Sequence, residues 1–316
     1  GSPICHQFME EKNMKDTHEL SEYFLENITE MLSKKGVKTS GWQEVALHHS
    51  PETNARIAPR FAGVYCWSTI GKQDVVPYPV ANEGYDVILC NVNNLYIDLA
   101  YNPHKDEPGL TWGGYVNEFT SFNILPYNVY CSARENKAGE KNNLKTAGKG
   151  KIQLTEQSRP RIKGVQAQLF SETIGSFDMV QYYVFPKIFG LVERGWNAYP
   201  EWSPVPNDDK QALYEKARAI YNAKIAEIEL PRLAADGFNF RVAQPGIKIV
   251  EGKLYANSPI PQAEIRYTTD GSEPTATSTL WEAPVDCSAS VVKAKLFYLG
   301  KESLTTDSVS YTHLRA

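Results

Sequence analysis

Apolar residues recur along the first two-thirds of the chain with two alternating periods, one helical and one of short continuous runs. Residues 2–13 read as a short helix, with Ser2 as candidate N-cap and Pro3 at the first helical position. Leu20, Phe24, Ile28 and Met31 then share one face of a longer helix. Asp16 and Glu19 offer it a capping box, and Gly36 stops it. Residues 37–42 form a short strand that runs into Gly41-Trp42-Gln43-Glu44. The same grammar returns at residues 63–67, a strand ending in Trp67, and at YDVILC, residues 85–90, leading to Asn91, Asn93, Tyr96 and Asp98. Its last occurrence is GVQAQLFSE, residues 164–172. Strands of a parallel sheet are apolar on both faces and collect ligand-binding groups at their carboxyl ends. Four strands of this kind point to one shared pocket.

Residues 99–162, between the third and fourth strands, make an excursion too long to be an idle connection; it contains Trp112 beside Gly113 and Gly114. Met179, Tyr182, Phe185, Phe189, Val192 and Trp196 follow at helical spacing as core positions, with Pro186 predicted to bend that helix. Asn207 or Asp208 caps a further helix through about residue 230, with Leu213, Ala217 and Ile220 facing inward. Pro231 closes the helical part. From residue 238 the texture changes to short β-prone segments at 240–242, 248–255, 264–268, 291–298 and 308–312, separated by Gly and Pro turns, among them Asp270-Gly271. The pattern is that of a small all-β sandwich, and the expected division is an α/β domain over residues 1–235 and a β-domain over 236–316.

A net charge of −4 supplies no basic face for nucleic acid or anionic lipid. The locally basic stretch 137–151 lacks interleaved aromatics and reads as a solvated loop. No segment reaches the roughly 20 apolar residues of a membrane span. Five cysteines without metal-ligand spacing or scaffold density read as free thiols. His48 and His49 are adjacent and have no partner at diagnostic spacing, so they read as loop residues, and neither metal nor cofactor is expected. The chain opens at Gly1 rather than Met, as expected of a processed chain or a segment of a longer one. The compartment stays open, with the periplasm or secretion as candidates for a parent protein. Aromatic residues are 11% of the chain, and several stand beside Gly, Asn and Asp, as in a carbohydrate groove.

The ordered set Gly41-Trp42-Gln43-Glu44, Trp67, Tyr96-Ile97-Asp98 and GVQAQLFSE, followed by Pro186 and Glu193-Arg194-Gly195-Trp196, resembles glycoside hydrolase family 20, the β-N-acetylhexosaminidases. YTTDGSEPT, residues 267–275, resembles the C-terminal domain such enzymes often carry. The resemblance implies an α/β fold: the C-terminal half, strands five to eight, of a (β/α)8 TIM barrel, followed by a small immunoglobulin-like sandwich. It implies a parent enzyme that removes terminal β-linked N-acetylglucosamine or N-acetylgalactosamine by substrate-assisted retention. There the acetamido oxygen attacks the anomeric carbon while a glutamic acid protonates the departing oxygen. The family's Asp-Glu pair ends strand four, a place expected to precede Ser2, so these 316 residues alone are expected to be inactive.

By the same resemblance Trp42, Trp67 and Phe170 match three Trp positions around the acetamido methyl and the pyranose, Phe170 being a departure that keeps the apolar wall but loses the indole donor. Tyr96 matches the Tyr whose hydroxyl stabilises the acetamido oxygen. Asp98 and Glu172 match acceptors for pyranose hydroxyls. Apart from the resemblance, Trp112 is a candidate outer wall for the leaving-group sugar or, with Gly113 and Gly114, part of a mobile loop. Glu44, an acid at a strand end near Trp42, is expected to support the site rather than to replace the acid. Implied partners are an N-acetylhexosamine glycan through the full-length parent, the missing N-terminal half-barrel, or a second copy across the open sheet edges. The competing readings are a carbohydrate-binding or scaffold module without catalysis, and an unrelated half-barrel that pairs with itself.

Overall fold

Four short strands, β1 (Thr39–Trp42), β2 (Phe61–Cys66), β3 (Val87–Leu89) and β4 (Ile162–Val165), lie in chain order in one parallel sheet. The computed structural model describes residues 2–69, 77–136, 139–204 and 210–309. The chain forms two compact units: one holds residues 1–96, 122–168 and 191–209, the other residues 97–121, 169–190 and 210–316. All four parallel strands belong to the first. Val64, Cys66, Val87, Leu89 and Ile162 give the sheet its buried face, packed with Ile57, Phe61, Tyr78, Tyr85 and Ile124. This is an α/β sheet consistent with part of a TIM barrel.

The helix Thr17–Ser33 begins where expected: the Asp16 carboxylate accepts from the backbone N–H groups of His18 and Glu19. The capping box is incomplete, because Glu19 accepts from the N–H of Lys15, one residue before the cap. The fourth strand differs most from expectation. It spans Ile162–Val165, not 164–172, and beyond it the N–H groups of Gln166 and Gln168 donate singly to the Leu89 and Leu95 carbonyls outside any regular ladder. Pro186 breaks its helix rather than bending it, giving Phe177–Val184 and Ile188–Trp196. Trp196, expected in the core, is 89% exposed, and Val192 is exposed as well.

In the second unit the helix Gln211–Lys224 buries Tyr214 and Tyr221, not Leu213 and Ile220, which are exposed. Large tyrosines whose hydroxyls find acceptors outcompete the aliphatic stripe: Tyr221 donates to the Glu118 carbonyl. The expected caps Asn207 and Asp208 lie outside the described residues. Pro231 does not end the helical part, because it sits in the first turn of a further helix, Leu230–Ala235, where its missing N–H is harmless.

The later region is antiparallel. β5 (Gly246–Val250), β6 (Lys253–Asn257) and β9 (Val285–Asp286) form one sheet. β7 (Glu264–Thr268), β8 (Thr279–Leu280), β10 (Val291–Tyr298), β11 (Lys301–Glu302) and β12 (Thr306–Val309) form the other. Leu254, Cys287 and Val292 make its core with Ile247, Ile249, Tyr267 and Trp281, consistent with a sandwich. The expected strand 248–255 is a hairpin, turned by Glu251 and Gly252, both at positive φ. Residues 240–242 form no strand, although Phe240 and Val242 are buried. The last described strand lies at 306–309 rather than 308–312.

Gly109 shapes the start of the excursion. Its φ is +119°, and a Cβ there would stand 2.6 Å from the Ala100 nitrogen and 2.9 Å from the Asp98 carbonyl oxygen, both rigid backbone. Gly109→Ala is therefore expected to cost about 2–3 kcal/mol of stability, read from the urea midpoint at unchanged m. A change within ±0.5 kcal/mol would contradict the close approach.

Candidate functional site

Unit one gathers Trp42, Trp67 and Tyr96 at the carboxyl edge of its sheet. Trp42 ends β1, opposite Tyr65, with the rings edge to face at 5.9 Å. Trp67 follows β2 and is held by the two residues after Trp42: Gln43 Oε1 accepts from the N–H groups of Trp67 (3.0 Å) and Ser68 (2.9 Å), while Glu44 Oε1 accepts from Trp67 Nε1 (3.0 Å). Glu44 thus fixes an indole. A carboxylate engaged in that bond is poorly placed to donate a proton elsewhere. Tyr96 is buried, and it extends the sheet through a single parallel bridge to Gln168.

Asn91 starts the turn Val92–Leu95 that carries the chain from β3 to Tyr96. It is fully buried, and neither side-chain amide atom has a hydrogen-bond partner among the described residues. With Thr69, Asn93, Tyr130, Ser132 and Asn142 it lines a cleft of about 290 Å³. Sequence reading noted Asn91 as a strand end without a role. Gln43 went unremarked for the same reason: a buried amide serving two backbone N–H groups leaves no pattern. Cys66 and Cys90 lie beneath this edge as inert thiols. Burial pushes both up, Cys90 to about 12 although the neighbouring Gln168 amide opposes the rise.

Unit two holds Asp98, Trp112, Phe170 and Glu172. Asp98 is buried, and its Oδ1 has no hydrogen-bond partner among the described residues. Burial raises its pKa; its own N–H and that of Phe170, and then Lys187, oppose the rise, while Glu172 adds to it. Phe170 and Glu172 thus share Asp98's surroundings, though both side chains are exposed. Trp112, also exposed, follows Leu110, whose bridge to Leu99 lays the excursion along the Asp98 segment.

That segment is clamped from below by Lys187, a residue sequence reading missed. Its Nζ donates to the carbonyls of Ile97 (2.8 Å) and Leu99 (2.6 Å) and lies 3.7 Å from the Tyr101 ring centroid. Burial, and then the Arg241 cation, hold its pKa well below the ordinary range, yet even a neutral amine has the two N–H donors these bonds need. Glu107 and Arg241 form a buried ion pair at 3.0 Å, with the Tyr182 hydroxyl donating to Glu107 at 2.7 Å and the guanidinium over Tyr101. Burial disfavours the Arg241 cation, but Glu107, Tyr182 and Glu118 outweigh it and keep it charged. Asp106-Glu107 is the sequence's sole Asp-Glu dipeptide, and its Glu is committed to that pair.

The family model of the glycosyl hydrolase family 20 catalytic domain matches residues 1–199, and that of the chitobiase/beta-hexosaminidase C-terminal domain matches residues 229–303. The N,N'-diacetylchitobiase of Vibrio harveyi is 28% identical over 287 residues, 85% of this chain and 31% of that protein. A beta-hexosaminidase of Porphyromonas gingivalis is 25% identical over 295 residues, 90% of this chain and 31% of that protein. The chain spans about a third of the length of these curated relatives. Among solved structures, the GH20 exo beta-N-acetylglucosaminidase from Vibrio harveyi in complex with N-acetylglucosamine aligns at a TM-score of 0.52 and 22% identity, covering 76% of this chain and 30% of that one, a likeness of fold. No helix among the described residues is long and apolar enough to cross a membrane.

Proposed function

The chain belongs to glycosyl hydrolase family 20, and we propose that its parallel sheet is strands five to eight of that family's barrel, carrying the sugar-binding half of a β-N-acetylhexosaminidase site. Residues 1–235 act as the barrel portion and residues 236–316 as an immunoglobulin-like accessory domain. Trp42, Trp67 and Phe170 wall the acetamido methyl and the pyranose. Tyr96 donates its hydroxyl to the acetamido oxygen as charge develops there, a contact worth more in the transition state than in the ground state. Asp98 and Glu172 accept from sugar hydroxyls, and Trp112 borders the leaving group.

The observation that carries this reading is Asp98 Oδ1, a buried carboxylate oxygen without a partner among the described residues. Leaving such an atom unpaired costs about 1–3 kcal/mol, a cost that a ligand hydroxyl removes on binding. Neither Glu44 nor Glu107 takes the proton donor's place, since Glu44 holds Trp67 and Glu107 holds Arg241. The polypeptide by itself therefore binds N-acetylhexosamine and leaves the glycosidic bond intact. The whole protein hydrolyses terminal β-linked N-acetylglucosamine or N-acetylgalactosamine when the rest of the barrel supplies the acid.

Calorimetric titration with N-acetylglucosamine is expected to saturate, with no release of aryl alcohol from an aryl β-N-acetylglucosaminide above the buffer blank. Affinity depends on the Asp98 carboxylate, whose pKa is raised. Binding is full above that pKa and declines as pH falls through it, at a higher pH than for an ordinary Asp. Asp98→Asn removes this pH dependence. Absence of saturable heat at neutral pH would refute the preserved pocket, and turnover by a pure sample would refute the missing acid.

A further inference from the structure

His18 and Glu22 stand four residues apart on one face of the helix Thr17–Ser33, and His49 reaches the same spot from the loop after the turn Gln43–Ala46. One ligand atom from each lies within 4.8 Å of the others. Glu22 Oε1 is 2.5 Å from His49 Nδ1 and 3.8 Å from His18 Nε2, and the two rings have centroids 5.8 Å apart. A tetrahedral ion with bonds of about 2.0–2.1 Å holds its donors about 3.3 Å apart, between those two separations.

Hydrogen bonding decides what faces what. His49 Nε2 is 3.0 Å from the Val45 carbonyl oxygen, which only accepts, so Nε2 carries a hydrogen and donates it. On a neutral ring Nδ1 is then a bare lone pair, turned at 2.5 Å toward a carboxylate oxygen. Two acceptors in contact need a positive charge between them. A proton can fill the place, and so can a metal. An imidazole whose second nitrogen donates to a backbone carbonyl is the usual arrangement of a metal-bound His, with ring and tautomer fixed in advance.

We infer that His18, Glu22 and His49 bind a divalent transition-metal ion of the zinc class, with solvent completing the tetrahedron. Ligation through His18 Nε2 exchanges its 3.1 Å contact with the His48 carbonyl for the ion. His18 is half-exposed, so the ion has an entry path, while His49 is buried and preset. The ion joins the helix to the segment that, one turn earlier, holds Trp67 through Gln43 and Glu44. The adjacent His48-His49 pair therefore divides its work: His49 is a ligand and His48 is not.

The test is a zinc sulfate titration of the metal-free chain carrying Cys5→Ser and His6→Ala, which remove an exposed thiol and imidazole able to bind zinc on their own. The expected result is one saturable equivalent, with the thermal unfolding midpoint raised by about 5 °C at a hundredfold excess over Kd. His18→Ala, a surface change that leaves the fold intact by circular dichroism, and Glu22→Gln are each expected to weaken binding at least about tenfold. No saturable binding, or a titration unchanged by both substitutions, would overturn the site and leave a proton-filled His49–Glu22 pair.

Discussion

Arg241→Met is expected to lower the unfolding free energy by about 3–5 kcal/mol, the usual cost of leaving one buried charge without its partner. The Glu107 side chain has no exposure of its own, so water cannot replace the guanidinium. Its remaining support is the Tyr182 hydroxyl, since Arg241 Nε and the terminal nitrogen supply the other contacts at 3.0–3.3 Å. Adding Glu107→Gln to Arg241→Met removes the stranded charge and is expected to restore much of the loss. Urea denaturation of the two variants decides it. A single variant within about 1 kcal/mol of the parent, or a double variant no better than the single, would mean that the pair is solvated.

Trp67→Ala is expected to weaken N-acetylglucosamine binding about 30-fold or more, equivalent to about 2 kcal/mol, enough to erase the calorimetric signal. Two effects combine. In the proposed site the ring is an apolar wall, and its indole N–H engages Glu44, which loses that donor on substitution. Glu44→Gln keeps a carbonyl oxygen for the indole and is expected to reduce affinity only a few-fold. Trp67→Ala and Glu44→Gln giving equal, small effects would show that the indole faces away from the sugar.

How far the residues announced all this depends on what holds each element. β7 and β10 were legible to the residue, at 264–268 and 291–298, because both are β-prone runs bounded by turn residues, and β10 also alternates strictly in burial. Of the parallel strands, β1, β3 and β4 read too long, while β2 begins two residues earlier than read. YDVILC is apolar beyond the three residues that enter the ladder, because loops leaving a buried sheet are buried too. GVQAQLFSE was placed two residues late at its start, since Gln166 and Gln168 imitate strand periodicity while bonding one carbonyl at a time. Of the proposed site residues, Trp42, Trp67, Tyr96 and Asp98 stand out in the sequence as an ordered set. Gln43, Lys187 and Arg241 do not, because a buried polar residue is chosen by its partners, and these lie up to 134 positions away. The His18, Glu22 and His49 grouping was hidden likewise: the sequence shows two adjacent histidines, and only the folded loop brings one to the helix.

The ion pair also bears on where this polypeptide tolerates being cut. A shortened version ending at residue 235, where the last helix stops, would retain Glu107 and Tyr182 but discard the guanidinium that neutralises Glu107. Dissection is better attempted beyond Arg241, at Pro245 or Gly246, with the cation kept on the helical piece. The short stretch between the last helix and β5 is then an inseparable component of what precedes it rather than a spacer.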